Sequence, residues 1–402
     1  MNDRNPCMPT IYGEVDPAFD AVTAEFERNF AERGEVGASV CVILDGRPVV
    51  DLWGGVADPA TGRAWERDTV GVVFSCTKAA VALCIHLLSR SGEIDPNMPV
   101  SRVWPEFAAN GKGDITIGML LDHSAGIPVL SAPIGPKALQ DWDFMTGRIA
   151  EQTPFWRPGT RHGYHPVTFG HTLGEVVRRV TGVSIGSFFA TEIAEPMGLD
   201  FWIGLPEQIE PRIAPIITAA PGPTTPFLEA ALHQRGSIPN LFVFNSGDFA
   251  RTGVNTRAGR AAEIPGANGV TNARGLARLY AGALQDPDLI PGERFPTSPG
   301  FDETLHMSTR FDRGFMRAMD NHAALGDGHS MRVGAHAYGH CGSGGSIGFA
   351  DPAPRLSVGY TMNKLGHGTL LNERGQALVD AVYRSLGLSA PPIRHQLEQD
   401  HQ

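Results

Sequence analysis

Two residues three apart, Ser75 and Lys78, concentrate the reactive chemistry of this 402-residue chain. A serine hydroxyl becomes a nucleophile when a neighbouring base takes its proton. A lysine can be that base when its surroundings keep the amine neutral. The apolar Val72, Val73 and Phe74 lead into Ser75, and Ala79, Ala80, Val81, Ala82, Leu83, Ile85, Leu87 and Leu88 follow as a strongly helical run. Ser75 is therefore expected at or near a helix N-terminus, where the helix dipole stabilises developing negative charge. Lys78 falls one turn later on the same face. A Ser-x-x-Lys pattern arises about once by chance in a chain this long, and Ser75 taken alone reads as an N-cap. Lysine usage argues for chemistry. Among 33 lysines and arginines only Lys78, Lys112, Lys137 and Lys364 are lysine, and the last three have no serine three residues before them. Arginine cannot release a proton in a protein, whereas a desolvated lysine can.

Other stretches compete for the same role. Gly-x-Ser-x-Gly occurs at Gly182–Gly186 and at Gly344–Gly348. That motif needs a strand before its serine and a helix after it. Ser184 has helical sequence on both sides and Ser346 enters a strand, so both read as turn chemistry. Tyr164, in Arg161-His162-Gly163-Tyr164-His165-Pro166, lies on a loop before a helical run. It can act as base or proton relay if a nearby cation lowers its pKa; otherwise it is a partly buried aromatic. The run Tyr338 to Ser346 holds four glycines, which implies close approach of backbone to a ligand or another element, with N–H groups free to face an oxyanion. Cys341 within it has no evident base. His162 with His165, and His336 with His340, have spacings some metal sites use. They lie on a loop and a strand without a zincin glutamate, so no metal is expected.

The elements that must position these groups fall into three parts. Pro17 to Arg33 has helical spacing; Ala38–Leu44 and Pro48–Trp53 flank Asp45-Gly46 as a hairpin. The helix after Ser75 should stop near Ser91-Gly92. Between Trp104 and Pro265, helices are expected at Ile115–Asp122, Thr168–Val180 and Ile185–Ala194, with 219–226 and 239–269 loop-rich. After a helix at Thr271–Leu284 come short strands at Gly314–Met319, His336–Gly339, Ser346–Ala350 and Leu356–Met362, then a helix at Leu370–Leu386. The expectation is a mixed α/β fold: residues 1–103 and 266–402 form a lobe with an antiparallel sheet flanked by helices, and 104–265 form a mostly helical inserted lobe, with Ser75 at the cleft.

Composition narrows the rest. A net charge of −10 without a basic run argues against nucleic acid. No apolar stretch reaches membrane-spanning length, and the polar first residues lack a signal-peptide core, so a cytoplasmic protein without a membrane partner is expected. Five cysteines, an odd number without metal-ligand spacing, fit free thiols.

In this order, Ser75-Cys76-Thr77-Lys78, the loop Tyr164 and the Gly-rich strand resemble the serine β-lactamase and penicillin-binding-protein superfamily. More narrowly, the chain is similar to the family VIII carboxylesterases, relatives of class C β-lactamases. Leu120 to Gly126, Thr181-Gly182, Pro196 to Leu199 and Gly339 to Pro352 extend the likeness over nearly the whole chain. The resemblance implies a nucleophile at Ser75, with Lys78 its partner and Tyr164 acting with Lys78 as base. It places His340, Cys341 and Gly342 where Lys-Thr-Gly would line the substrate pocket, and an oxyanion hole at the backbone N–H groups of Ser75 and Ser343. No cofactor is implied. Two departures bear on substrate: Pro166 replaces the asparagine of Tyr-x-Asn, and His340 replaces the lysine that would meet a substrate carboxylate. They favour a small-molecule carboxylic ester over β-lactams or D-Ala peptides. A β-lactamase, D-amino peptidase or acyltransferase on this scaffold, an α/β-hydrolase using Ser184, and a non-catalytic binding protein are the alternatives.

Overall fold

Strands from both ends of the chain meet in one antiparallel sheet. The computed structural model describes residues 9–219, 222–286, 289–290 and 297–388; Cys7 lies outside them. The N-terminal side supplies β1 (Ile11–Val15), β2 (Gly37–Leu44) and β3 (Arg47–Asp58). The C-terminal side supplies β4 (Thr297–Phe301), β5 (Ser308–Asp312), β6 (Phe315–Arg317), β7 (Tyr338–Cys341), β8 (Ile347–Asp351) and β9 (Leu356–Met362). Their order is β1-β3-β2-β9-β8-β7-β6-β5-β4. The seam between the two ends is β2 against β9, with Val40 opposite Tyr360.

Period-2 alternation explains how both faces are covered. Leu356, Val358, Tyr360 and Met362 of β9 join Val40 and Val42 of β2 in one apolar cluster, with Phe26 of α1 (Asp20–Glu32) and Val379 and Val382 of α11 (Glu373–Ser385). The alternate β9 positions are Ser357, Gly359 and Thr361, small enough for α10 (Ala273–Gln285) to lie close; Ser357 Oγ donates to Ala277 O at 2.9 Å. The expected hairpin and the expected flanking helices are all present.

The middle of the chain is helical: α3 (Ile117–Leu121), α4 (Trp142–Glu151), α5 (Thr168–Thr181), α6 (Ile185–Phe189), α7 (Pro226–His233), α8 (Ile238–Phe244) and α9 (Arg257–Ala261). Of the last three, α8 and α9 occupy the stretch 239–269 expected to be loop-rich, and α7 begins at the end of the loop-rich 219–226 and runs through residues to which the sequence assigned no element. Each has a side-chain N-cap, Thr225, Ser237 and Thr256, that offsets its short length. The helix after Ser75, α2 (Thr77–Arg90), packs on α5 and α6 and shares their apolar core. It is apolar almost all round, as a helix surrounded by protein must be. Strands β1, β4 and β5 were not expected from sequence. No helix among the described residues is long and apolar enough to cross a membrane.

Candidate active site

The turn carrying Ser75 is built by strain and closed by hydrogen bonds. Gly71–Val72 pairs with Val270–Thr271 and brings the chain to Phe74, whose φ of 44° lies in the left-handed region that bulky residues avoid. From Val70 to His86 every residue is buried except Ser75. The N–H groups of Cys76, Thr77 and Lys78 then bond back to the carbonyls of Val73, Phe74 and Ser75, a tight entry into α2. Thr77 Oγ1 donates to Phe74 O and accepts the Gly269 N–H at 2.8 Å, tying the turn to the segment beneath it. Ser75 thus stands two residues before α2 begins, as expected.

Lys78 is fully buried with its Nζ 3.3 Å from Ser75 Oγ. Its other two partners are carbonyls, Pro166 O at 2.8 Å and Gly266 O at 2.7 Å. Burial holds the ammonium well below its ordinary 10.5. Carbonyls only accept, so a neutral amine gives its two hydrogens to them and turns its lone pair toward the Ser75 hydroxyl.

Tyr164, on the loop before α5, reaches the same oxygen. Its hydroxyl lies 2.5 Å from Ser75 Oγ, and Lys78 Nζ lies 4.7 Å from its ring centre. The condition under which it would act as a base, a pKa lowered by a nearby cation, is not met. Burial, the largest effect, pushes the phenol up; the bond to Ser75 opposes it, and the nearby Cys76 and Asp302 raise it further. A neutral phenol suits a relay rather than a resting base.

The Gly-rich turn closes the fourth side. A Cβ at Gly342 would lie 2.2 Å from both Val73 O and Ser346 Oγ, so only glycine lets the end of β7 approach the Ser75 turn. Cys76 Sγ–H donates to His340 O at 3.1 Å, and Ser346 Oγ–H to Val73 O at 3.3 Å. The N–H groups of Ser75 and Ser343 donate to no acceptor among the described residues. His340 is buried beside Tyr164, their ring centres 6.0 Å apart. Its Nδ1–H donates to Cys341 O at 2.7 Å, and burial with the nearby Lys78 takes it down to about 3, so it is neutral. Burial pushes Cys76 up to about 12 and Cys341 well above its ordinary value, which leaves both thiols inert.

The remaining candidates have structural partners. Ser184 caps α6, accepting from Ser187 N–H, and its Oγ donates to Glu263 at 2.6 Å. His165 donates through Nδ1 to Gly163 O and accepts the Ile127 N–H at Nε2, while His162 Nε2 faces Thr309 Oγ1 at 2.9 Å. No group of three or more His, Cys, Asp or Glu side chains that could hold a metal occurs among the described residues. Trp156 packs beside His165 behind the Tyr164 loop, whereas Trp142 is bonded to Glu175 and Trp202 covers Arg212. The sequence reading missed the carbonyls of Pro166 and Gly266, which no side-chain pattern marks. It also missed Asp302, which holds the Tyr164 loop; its only sequence signal is the turn chemistry of Asp302-Glu303-Thr304.

Comparison with known proteins identifies the family. The Beta-lactamase family model matches residues 23–383. The chain is 35% identical over 370 residues to the esterase/β-lactamase LipL of Mycobacterium tuberculosis (strain ATCC 25618 / H37Rv), covering 88% of this chain and 83% of that protein. It is 36% identical to a family VIII carboxylesterase of known structure, with a TM-score of 0.81 over 94% of this chain and 100% of that one. A penicillin-binding protein homologue from Caulobacter crescentus gives 36% identity and a TM-score of 0.80 over the same shares. The chain therefore belongs to the Beta-lactamase family, as a hydrolase with the fold common to serine β-lactamases, penicillin-binding proteins and their esterase relatives.

Proposed function

We propose that the protein is a serine carboxylesterase acting through an acyl-enzyme on Ser75. The observation that carries this reading is the environment of Lys78 Nζ, with two carbonyl acceptors and one serine hydroxyl around a buried amine. Ser75 Oγ attacks the ester carbonyl while its proton passes to Nζ. The oxyanion is held by the backbone N–H groups of Ser75 and Ser343. Collapse breaks the carbon–oxygen bond to the alcohol, whose oxygen needs a proton. Tyr164, beside the same oxygen, hands over its own proton and regains one from Lys78. Water then attacks the acyl-enzyme by the reverse sequence, releasing the acid and restoring Ser75. His340, Cys341 and Gly342, in the place of Lys-Thr-Gly, would border the substrate pocket on the side of the Gly-rich turn.

The substrate preference follows from charge. A neutral His340 offers no cation to a substrate carboxylate, and Pro166 supplies no side-chain amide donor. Both features support uncharged esters over β-lactams or D-Ala peptides. The test is hydrolysis of a chromogenic short-chain acyl ester and of a chromogenic cephalosporin. Ser75→Ala should abolish ester hydrolysis, and Ser184→Ala should spare it while costing about 1 kcal/mol of stability as a lost cap. The reverse pattern refutes the assignment, and faster cephalosporin turnover favours the β-lactamase alternative.

A further inference from the structure

The Tyr164 loop belongs to the helical lobe, yet it is held from the C-terminal sheet by one carboxylate. Asp302 is fully buried between β4 and β5. Its Oδ1 accepts the N–H groups of Tyr164 at 3.0 Å, Thr304 at 2.9 Å and Leu305 at 2.9 Å. Its Oδ2 accepts Tyr164 N–H at 3.1 Å and Thr309 Oγ1–H at 2.8 Å. Burial pushes its carboxyl up, and His162 and the donors from these four residues oppose that push. The loop and the turn are joined at further points. Glu303 N–H donates to His162 O at 3.1 Å, and a Cβ at Gly163 would lie 2.8 Å from Thr304 Oγ1. On its other side the loop rests on His123, which accepts the His165 N–H at Nδ1 and the Gly163 N–H at its carbonyl.

We infer that Asp302 is a positioning residue for Tyr164, fixing the phenol hydroxyl within reach of the departing alcohol. This rests on the acyl-enzyme reading of Ser75. Asp302 touches no reacting atom. It fixes the backbone N–H of the residue whose side chain moves the proton, across 138 positions of sequence. A displacement of about 1 Å at such a group is enough to cost on the order of 10²-fold in rate. The loss is selective, because p-nitrophenolate departs without a proton whereas an alkoxide does not. Loss of Tyr164 alignment therefore slows acylation by alkyl esters and spares acylation by activated aryl esters, while deacylation, common to both, is affected equally.

The experiment compares single-turnover acylation rates, read as release of the alcohol or of p-nitrophenolate, for an alkyl ester and a p-nitrophenyl ester of the same acyl group. Asp302→Ala should lower the alkyl-to-aryl rate ratio by about 10²-fold. Asp302→Asn keeps an acceptor oxygen for the three N–H groups and should stay near wild type. In a Tyr164→Phe background, Asp302→Ala should move the ratio no further, since both changes act through one group. An equal fall on both esters, an unchanged ratio, an additive double variant, or an Asn variant as impaired as the Ala variant would each overturn the inference. If Asp302→Ala does not fold, Gly163→Ala pushes the loop off the same turn and should give the same selective loss; an unchanged ratio there counts against the proposal. Ser75→Ala measured alongside separates the two levels: loss of both activities upholds the nucleophile whatever Asp302 does, and retained activity removes both readings.

Discussion

Replacing Lys78 by arginine removes the base and leaves the donors. A guanidinium stays charged where the working amine is neutral, and it can still donate to Pro166 O and Gly266 O, now 2.8 and 2.7 Å from Nζ. It has no lone pair for the Ser75 proton. General-base help of this kind is worth ~10²–10⁴ in rate, or about 3–5.5 kcal/mol in the acylation barrier. The direct measurement is the single-turnover burst of p-nitrophenolate by stopped flow, which reads acylation apart from deacylation. The wild-type burst rate should rise with pH as Lys78 loses its proton, on a limb displaced well below 10.5 by burial. The Lys78→Arg variant should show a burst slower by that factor and no such limb. A variant burst within tenfold of wild type, with the limb intact, would refute the idea that Lys78 takes the proton and reduce it to an electrostatic partner.

Two further outcomes concern stability. Lys78 binds a proton when unfolded and none when folded, between its depressed folded value and 10.5. Unfolding free energy should therefore rise with pH in that window, by about 1.4 kcal/mol per unit from this group alone. The difference between wild type and Lys78→Met in denaturant titrations should grow with pH there, and a constant difference would mean that the folded lysine is charged. Thr77→Val leaves the buried Gly269 N–H without its acceptor. It should cost about 1–3 kcal/mol in thermal unfolding while Thr77→Ser costs little; an equal loss in both would place the cost in packing instead.

Ser75, Lys78 and Tyr164 were legible because their side-chain types carry chemistry that survives without knowing the fold. The structure brings all three within hydrogen-bond reach of one another through Ser75 Oγ. The β2–β3 hairpin and β9 were legible from strong apolar patterning around turn residues. Strands β1, β4 and β5 were not, because edge and near-edge strands carry the Pro299, Gly300, Gly13 and Arg310 that also mark loops. Helices α7 and α8 carried readable starts, Thr225-Pro226 and Ser237-Ile238-Pro239, that the surrounding prolines and glycines obscured. The direction of the Tyr164 shift was left open in the sequence, because neighbouring residue types reveal a cation but not the depth of burial. Asp302 stayed hidden for a related reason, since its partner is remote in sequence and is a backbone N–H, which every residue but proline possesses.

The β2–β9 seam also has a temporal consequence. Ser39 Oγ is hydrogen-bonded to Thr361 Oγ1 at 2.9 Å, 322 residues further on. Contacts of such separation form late, because closing a long loop costs entropy before any pairing rewards it. During synthesis the chain through α9 can gather Ser75, Lys78 and Tyr164 around the helical core before β7, Ser343 and Asp302 have emerged. On the proposed mechanism the nascent protein would then hold Ser75 and Lys78 with one of the two oxyanion donors missing and Tyr164 not yet fixed, and the complete site would await the pairing of the last strands onto β2.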